Sequence, residues 1–465
     1  MALVSVTVHV ILASEMHKNE AWVVSVDMGY GHQRAAYPFR DIAFGRIITA
    51  NTDACVSLEE KGLWAKFQAF YEGISRAQNL PIIGPWIWRA YDRFQAICPH
   101  YPFRDLSKPS IGSSRLQSLI RRGFGASVVK CTREREDLPL LSTFYAIALA
   151  ADYAGRRDVF CVITDSDINR VWVANDPKRS RINYLAPTAL SRLRLLQYGV
   201  ADERIFVTGF PLPEENVATA REDLMRRLEV LDAKGIFRAR YRAALGQPTP
   251  EMMPKAETTG RALSITFAVG GAGAQAKIAR DILESLARSL KEGLIRLNLV
   301  AGVRQEVRDY FMEIIRERAL EAELGKSVRV LFTATKDDYF PAFNALMRET
   351  DVLWTKPSEL CFYAGLGIPI VMSPPLGAHE ERNEAALMRA GAGYRQEDPR
   401  AAAEWLSDWT QNGLLAIGAF NGYLHVPNRG TENIKRVLFA SDRSNVQLEG
   451  VPPPLRDPRS NEKVI

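Results

Sequence analysis

Three stretches of this chain combine residue types and spacing that suit a nucleotide ligand. The first is Lys356-Pro357-Ser358-Glu359, which follows the apolar run Val352–Trp354. The other two are glycine-rich turns, Met28-Gly29-Tyr30-Gly31-His32 after the apolar run Ala21–Asp27, and Gly270-Gly271-Ala272-Gly273-Ala274 after Ala262–Val269. Each glycine turn brings backbone amides to the start of a helix, where phosphate is favoured. Glu359, at the carboxyl end of a strand, has the geometry to accept from both hydroxyls of a ribose. A nucleotide sugar offers both a diphosphate and a ribose diol, together with an acidic leaving group. Asp165-Ser166-Asp167 also reads as a D-x-D triplet, in which two carboxylates hold a divalent ion on a nucleotide diphosphate. Such triplets are common by chance, and no metal site and no cofactor are expected.

These residues need strand ends to position them. Val352–Trp354, a helix from Leu360 to Leu366 ended by Gly365 and Gly367, and Ile368–Met372 form a βαβ crossover, with Ser358 placed to cap the helix. After the breaker-rich Pro374–Gly377, the run His379-Glu380-Glu381-Arg382-Asn383 stands at the mouth of a further helix. Upstream, strands are expected at Ala21–Asp27, Arg46–Ala50, Val128–Cys131, Val159–Ile163, Arg181–Leu185 and Ile205–Val207, with a small-residue helix at Leu141–Ala151 and another helix at Leu190–Tyr198. Arg221–Leu245 reads as a charged helix. Downstream, Ala262–Val269, Ile295–Ala301 and Val328–Phe332 are strands, and Ala401–Leu414, Ala416–Tyr423 and Thr431–Phe439 are helical.

The expected fold class is therefore α/β, with two Rossmann-like domains facing a cleft. The division is an N-terminal extension at 1–20, a first domain at 21–245, a Pro/Gly-rich linker at 246–261, a second domain with terminal helices at 262–440, and a polar, Pro-rich, disordered tail at 441–465. Ala2–Ala13 is apolar but short and lacks the basic flank of a signal peptide, so it reads as an extension, with Met16 a sensible start.

The chain of 465 residues is long enough for two or three cores, and its net charge of +6 allows an acidic partner without demanding nucleic acid. Five scattered cysteines (Cys55, Cys98, Cys131, Cys161, Cys361) read as reduced thiols of a cytoplasmic protein. No run approaches the roughly 20 apolar residues of a membrane span. Leu63–Ile97 mixes Trp64, Phe67, Phe70, Tyr71, Trp86 and Trp88 with Lys66, Arg76, Arg89 and Arg93. It suits either an anionic membrane surface, which would make the protein peripheral at the inner face, or a core helix pair under basic stems. Both readings stay open.

Taken in order, the motifs resemble the GT-B glycosyltransferases that include monogalactosyldiacylglycerol synthase, the processive diacylglycerol glucosyltransferases and the lipid II-forming N-acetylglucosaminyltransferase. Asp27–Ala35 is similar to their N-terminal glycine–histidine loop, Ile163–Trp172 to their T-D-x-x-x-H-x-x-W stretch, and Val207–Leu212 to their G-x-P-V ending of the first domain. Val269–Ala274 resembles their second glycine loop. Pro357–Glu359 and Gly377–Asn383 resemble their donor-binding segment, which ends in Q-E-x-x-N. The likeness spans about positions 21 to 395.

This resemblance implies a metal-independent, inverting hexosyltransferase that uses a nucleotide-sugar donor, most simply a UDP-sugar, and a hydroxyl acceptor; the aromatic-basic segment Leu63–Ile97 and the positive charge point to a lipid acceptor, as in glycolipid biosynthesis. Donor contacts would come from Gly270, Gly271 and Gly273 at the diphosphate, Ser358 and Glu359 at the ribose, and His379, Glu380 and Asn383 at the sugar or phosphate. His32 would be the general base or orienting group, with Asp27 orienting it or itself the base. Gly29, Gly31, Asp165, Asn169 and Trp172 would line the acceptor side. The chain departs from the family at Tyr30 (a glycine there, so the loop is narrowed), Asn169 (histidine), Ala272 (hydroxyl or glycine) and His379 (glutamine). Two further readings share the fold: a nucleotide-sugar 2-epimerase, and a non-catalytic nucleotide-binding protein, which the departures motivate.

Overall fold

The computed structural model describes residues 19–66, 97–245, 260–268 and 275–451. The glycine loop carrying Gly270, Gly271 and Gly273 lies outside the described residues, as do 67–96 of the aromatic segment, most of the linker, and 1–18 and 452–465 at the ends.

Two six-stranded sheets, parallel throughout, organise the chain. The first contains β1 (Trp22–Ser25), β2 (Ile48–Thr49), β3 (Leu140–Ser142), β4 (Val159–Val162), β5 (Asn183–Ala186) and β6 (Ile205–Val207), in the order β2-β1-β3-β4-β5-β6. The second contains β7 (Leu263–Ala268), β8 (Ile295–Gly302), β9 (Val328–Phe332), β10 (Val352–Thr355), β11 (Ile370–Met372) and β12 (Gly393–Arg395), in the order β12-β11-β10-β7-β8-β9. Both are doubly wound, and the two-domain α/β architecture is that of a GT-B protein. In each sheet the order of strand addition reverses once, between β1 and β3 in the first and between β7 and β10 in the second. These reversals are where an open α/β sheet opens a crevice for ligand.

Both faces of each sheet are buried, which is why the strands read as continuous apolar runs. On β1, Trp22 and Val24 join one core while Val23 joins another on the opposite face. The second face is covered by the helix Gly430–Phe439, whose Ile434, Val437 and Leu438 pack against Val23, Leu141, Phe160 and Leu185. The last α-helix among the described residues thus returns to the first domain. Gly430 lies so close to Phe210 that a β-carbon would stand 2.1 Å from its carbonyl oxygen. Asn433 Nδ2 donates to the Thr208 carbonyl at 2.9 Å.

The domain boundary also differs from the division expected at 245. The helices Ala220–Leu231 and Ile236–Leu245 place Leu224, Leu228, Leu231 and Phe237 in the core of the second domain. Arg227, fully buried, donates to the carbonyls of Thr350, Leu366 and Met347. The chain changes domain after β6, well before the linker.

Four local expectations are corrected. Val128–Cys131 is not a strand but part of a helix, Ala126–Cys131. Gly125 (φ 85°) turns the chain into it, and a β-carbon there would meet Ala150 Cβ at 2.7 Å. The strand of that region is β3, inside the stretch expected to open a helix; four-residue apolar runs do not carry enough periodicity to tell the two apart. The helix after Ser358 is a 3-10 helix, Glu359–Leu366, without a side-chain cap, ended by Gly367 at φ 74°. Finally, residues 441–451 are ordered: Val446 and Leu448 pack on the first domain, and Glu449 pairs with Arg429 and Arg436 at 2.9 and 2.6 Å. Among the described residues no helix is long and apolar enough to cross a membrane. Of the aromatic segment, Trp64 and Ile97 are buried.

Candidate active site

A cavity of about 320 Å³ opens between the domains at the two points of strand reversal. Its first-domain wall comes from the turn after β1 and from the ends of β3 and β4, and its second-domain wall from Lys356–Leu360 and His379–Glu380. Gly29 makes the first turn with φ 97°, a conformation that an L side chain rarely adopts.

His32 sits at the centre of the first wall. Its Nδ1 lies 2.6 Å from the carbonyl oxygen of Thr143, just after β3. A carbonyl can only accept, so Nδ1 carries the proton and a neutral ring presents Nε2 as a lone pair. Burial pushes the His32 pKa below its ordinary value, against the Thr143 carbonyl and the charges of Asp165 and Glu359, which pull it up. Phe144 packs edge-on at 5.0 Å, and Phe144, Tyr145 and Trp172 continue as an aromatic wall with centroids 4.4 and 4.9 Å apart.

Asp27 is engaged elsewhere. Its carboxylate accepts from Lys336 of the second domain at 2.5 Å, and Lys336 also donates to Gln33 at 2.8 Å. His32 therefore takes its orientation from Thr143 and not from Asp27. Asn169 lines the cavity, and its side-chain oxygen is buried without a hydrogen-bond partner among the described residues.

Glu359 faces His32 from the opposite domain. Its Oε1 accepts from Arg34 Nε at 3.3 Å. Its Oε2 lies 3.3 Å from where a β-carbon on Gly31 would stand, so the close approach of loop and carboxylate uses the missing side chain of Gly31. Ser358 lines the cavity with its hydroxyl uncommitted to capping.

The expected sugar-binding run divides in two. His379 is partly exposed in the cavity. Glu380 is buried there, pairs with Lys356, and accepts from the Leu376 amide at 2.8 Å, which fixes the Pro374–Gly377 loop. Asn383 is 1% exposed and does not reach the cavity. Its side-chain oxygen accepts from Ser166 N and Oγ at 2.8 and 2.7 Å, and its nitrogen donates to Asp165 at 2.9 Å. It is a bolt between domains that also orients Asp165.

The D-x-D triplet is likewise explained by packing. Asp167 is buried against Arg194, with Nε and Nη2 at 2.8 and 3.0 Å from its two oxygens, and His100 at 3.5 Å. Among the described residues no group of three or more His, Cys, Asp or Glu is placed to hold a metal ion. Removing one partner of such a pair costs about 3–5 kcal/mol. Arg194→Met is expected to lower unfolding stability by that amount, measured in urea.

The sequence of residues 253–408 matches the family described as a domain of unknown function, DUF6938. No curated protein matches the chain. Among solved structures, the chain is similar to the UDP-GlcNAc 2-epimerase of Neisseria meningitidis, with 14% identity, 69% of this chain and 80% of that one covered, and a TM-score of 0.42. A glycosyltransferase of Rickettsia africae gives 9% identity, 68% and 81% coverage, and a TM-score of 0.38. MurG of Acinetobacter baumannii gives 16% identity, 55% and 90% coverage, and a TM-score of 0.31.

Several residues at the site take their roles from contacts across the cleft. Tyr30 does not narrow its own loop. It crosses the cleft, where its hydroxyl accepts from the Val303 amide at 3.0 Å and its ring packs on Tyr339 at 4.9 Å. Gly302 makes room for it, since a β-carbon there would stand 2.3 Å from the Tyr30 hydroxyl, and its φ is 68°. Gly302→Ala is expected to destabilise the protein by about 1–3 kcal/mol through overpacking, read by thermal unfolding. Lys356, Arg34 and Tyr339 also line the cavity. Arg34 could have been suspected from its place two residues after His32, and Lys356 from its place before Pro357-Ser358.

Proposed function

We propose that this protein is a glycosyltransferase that moves a sugar from a nucleotide-diphosphate donor, a UDP-sugar by the motif resemblance, to a hydroxyl acceptor. The observation that carries the reading is the facing pair: a neutral His32 whose Nε2 has no partner among the described residues, opposite a Glu359 carboxylate, across a cavity where the strand order of both sheets reverses. Glu359 would accept from the ribose hydroxyls. Lys356 and the amino end of the helix Ala378–Arg389 offer positive charge to the diphosphate. His32 Nε2 would take the acceptor hydroxyl proton as its oxygen bonds to the anomeric carbon; the bond from that carbon to the diphosphate breaks, and nucleoside diphosphate leaves. Attack from the face opposite the leaving group inverts the anomeric centre, as the resemblance implies. The aromatic wall of Phe144, Tyr145 and Trp172 suits an apolar or sugar acceptor, and a lipid delivered from an anionic surface is the acceptor class we propose.

The test is protection against thermal unfolding by nucleoside diphosphates of different bases. A ligand at a hundred times its dissociation constant adds about 2.7 kcal/mol. Uridine diphosphate should protect most; protection by none of the bases would sink the reading.

A further inference from the structure

Arg34 is a cation of the first domain sealed inside the second. From the helix Tyr30–Ala36 its side chain, 2% exposed, enters a cage of Tyr339, Phe343 and Tyr363. The guanidinium carbon lies 4.2 Å from the centre of the Phe343 ring. Nη2 donates to the Tyr339 hydroxyl at 3.2 Å and Nη1 to that of Tyr363 at 3.5 Å. The rings and hydroxyls supply partial charge only. The carboxylate that a buried cation requires is Glu359, held through Nε at 3.3 Å.

This fixes the state of Glu359. One of its oxygens is held by Arg34; the other lies against Gly31 and has no protein donor among the described residues. We propose that Arg34 is a positioning residue for sugar recognition in the nucleoside: it holds the Glu359 carboxylate in one rotamer, with Oε2 free to read the ribose diol. Recognition of the ribose by the second domain then depends on a residue of the first. The inference rests on the nucleotide reading above. Arginine suits the task because one planar group reaches the carboxylate, two hydroxyls and a ring face together, which an ammonium cannot do in fixed geometry.

The test is calorimetric titration of uridine diphosphate and its 2′-deoxy and 3′-deoxy analogues into the wild-type protein, Arg34→Lys and Arg34→Met. The wild-type protein should prefer the ribose form by about tenfold, the scale of one hydrogen bond to a charged group. Arg34→Met should lose that preference while keeping its affinity for the deoxy analogues, and Arg34→Lys should fall between. If Arg34→Met does not fold, Phe343→Leu, which loosens the cage and keeps the ion pair, should reduce the preference in part. An Arg34→Met protein that keeps the full preference, or that weakens equally for all three ligands, overturns the positioning role; so does a Phe343→Leu protein with an unchanged preference when it stands in as the test. A wild-type protein that binds no nucleoside diphosphate overturns the nucleotide reading itself, a result distinct from a ribose preference that survives loss of Arg34.

Discussion

Replacing His32 with alanine is expected to lower kcat by about 10²–10⁴-fold, the range for removal of a positioned general base, with donor affinity nearly unchanged. The expectation follows from the ring's partners. Nδ1 is committed to the Thr143 carbonyl, so only Nε2 can take a proton, and Nε2 is the nitrogen left for the cavity. The pH dependence has a defined sign. Burial holds the pKa of His32 below 6.5, so the ring is neutral and competent at pH 7. Activity should fall as pH drops through that lowered value, giving an acid limb below 6.5 that His32→Ala lacks. The same shift acts on stability. Between the folded and unfolded pKa values the unfolded chain binds more protons, so the contribution of His32 to stability is lost as pH falls below 6.5. His32→Ala should flatten that dependence. A pH–rate profile whose acid limb survives the substitution would assign the base elsewhere, with Asp165, a carboxylate lining the same wall, the next candidate.

Glu359→Ala is expected to weaken binding of nucleoside diphosphate by about 100-fold. Two hydrogen bonds from ribose to a charged group are worth roughly 3 kcal/mol together, and each 1.4 kcal/mol is tenfold. The same change strips Arg34 of its carboxylate. Arg34 is buried, so the variant should also unfold more easily, by about 3–5 kcal/mol. Glu359→Gln separates the effects: it retains an oxygen for Arg34 Nε and should keep more of the stability while losing the charge that favours the ribose hydroxyls. Calorimetry and urea unfolding on both variants check this, and equal affinity in Glu359→Ala and wild type would remove Glu359 from the ligand.

The strand ends were legible in the sequence because both sheets are covered on both faces, so β1, β4, β7 and β10 read as apolar runs, and glycine or proline follows β1, β7 and β10 within a few residues. His32 and Glu359 were legible for the same reason: each lies within a few residues of such an end. What was hidden is pairing across the cleft. Arg34 and Glu359 are 325 positions apart, Lys336 and Asp27 309, and Asn383 and Ser166 217. Nothing in a window of ten or twenty residues records such pairs. Asn383 shows the effect clearly, since its place in a donor-binding motif pointed to the sugar, while its amide joins the two domains. Tyr30 shows the converse: as a large residue in place of a glycine it reads as narrowing its loop, yet its ring leaves the loop for the second domain. The domain boundary was hidden because the charged segment Arg221–Leu245 carries its apolar residues at helical spacing without any mark of which core they join.

Acceptor-dependent transfer at this cleft can be read from the release of uridine diphosphate. Purified protein would be mixed with each common UDP-sugar, with and without a diacylglycerol presented in anionic vesicles. Release that requires the acceptor, is matched by glycolipid formed, and is lost in His32→Ala is the predicted result. No release with any donor, or conversion of the donor to its epimer without an acceptor, would contradict it.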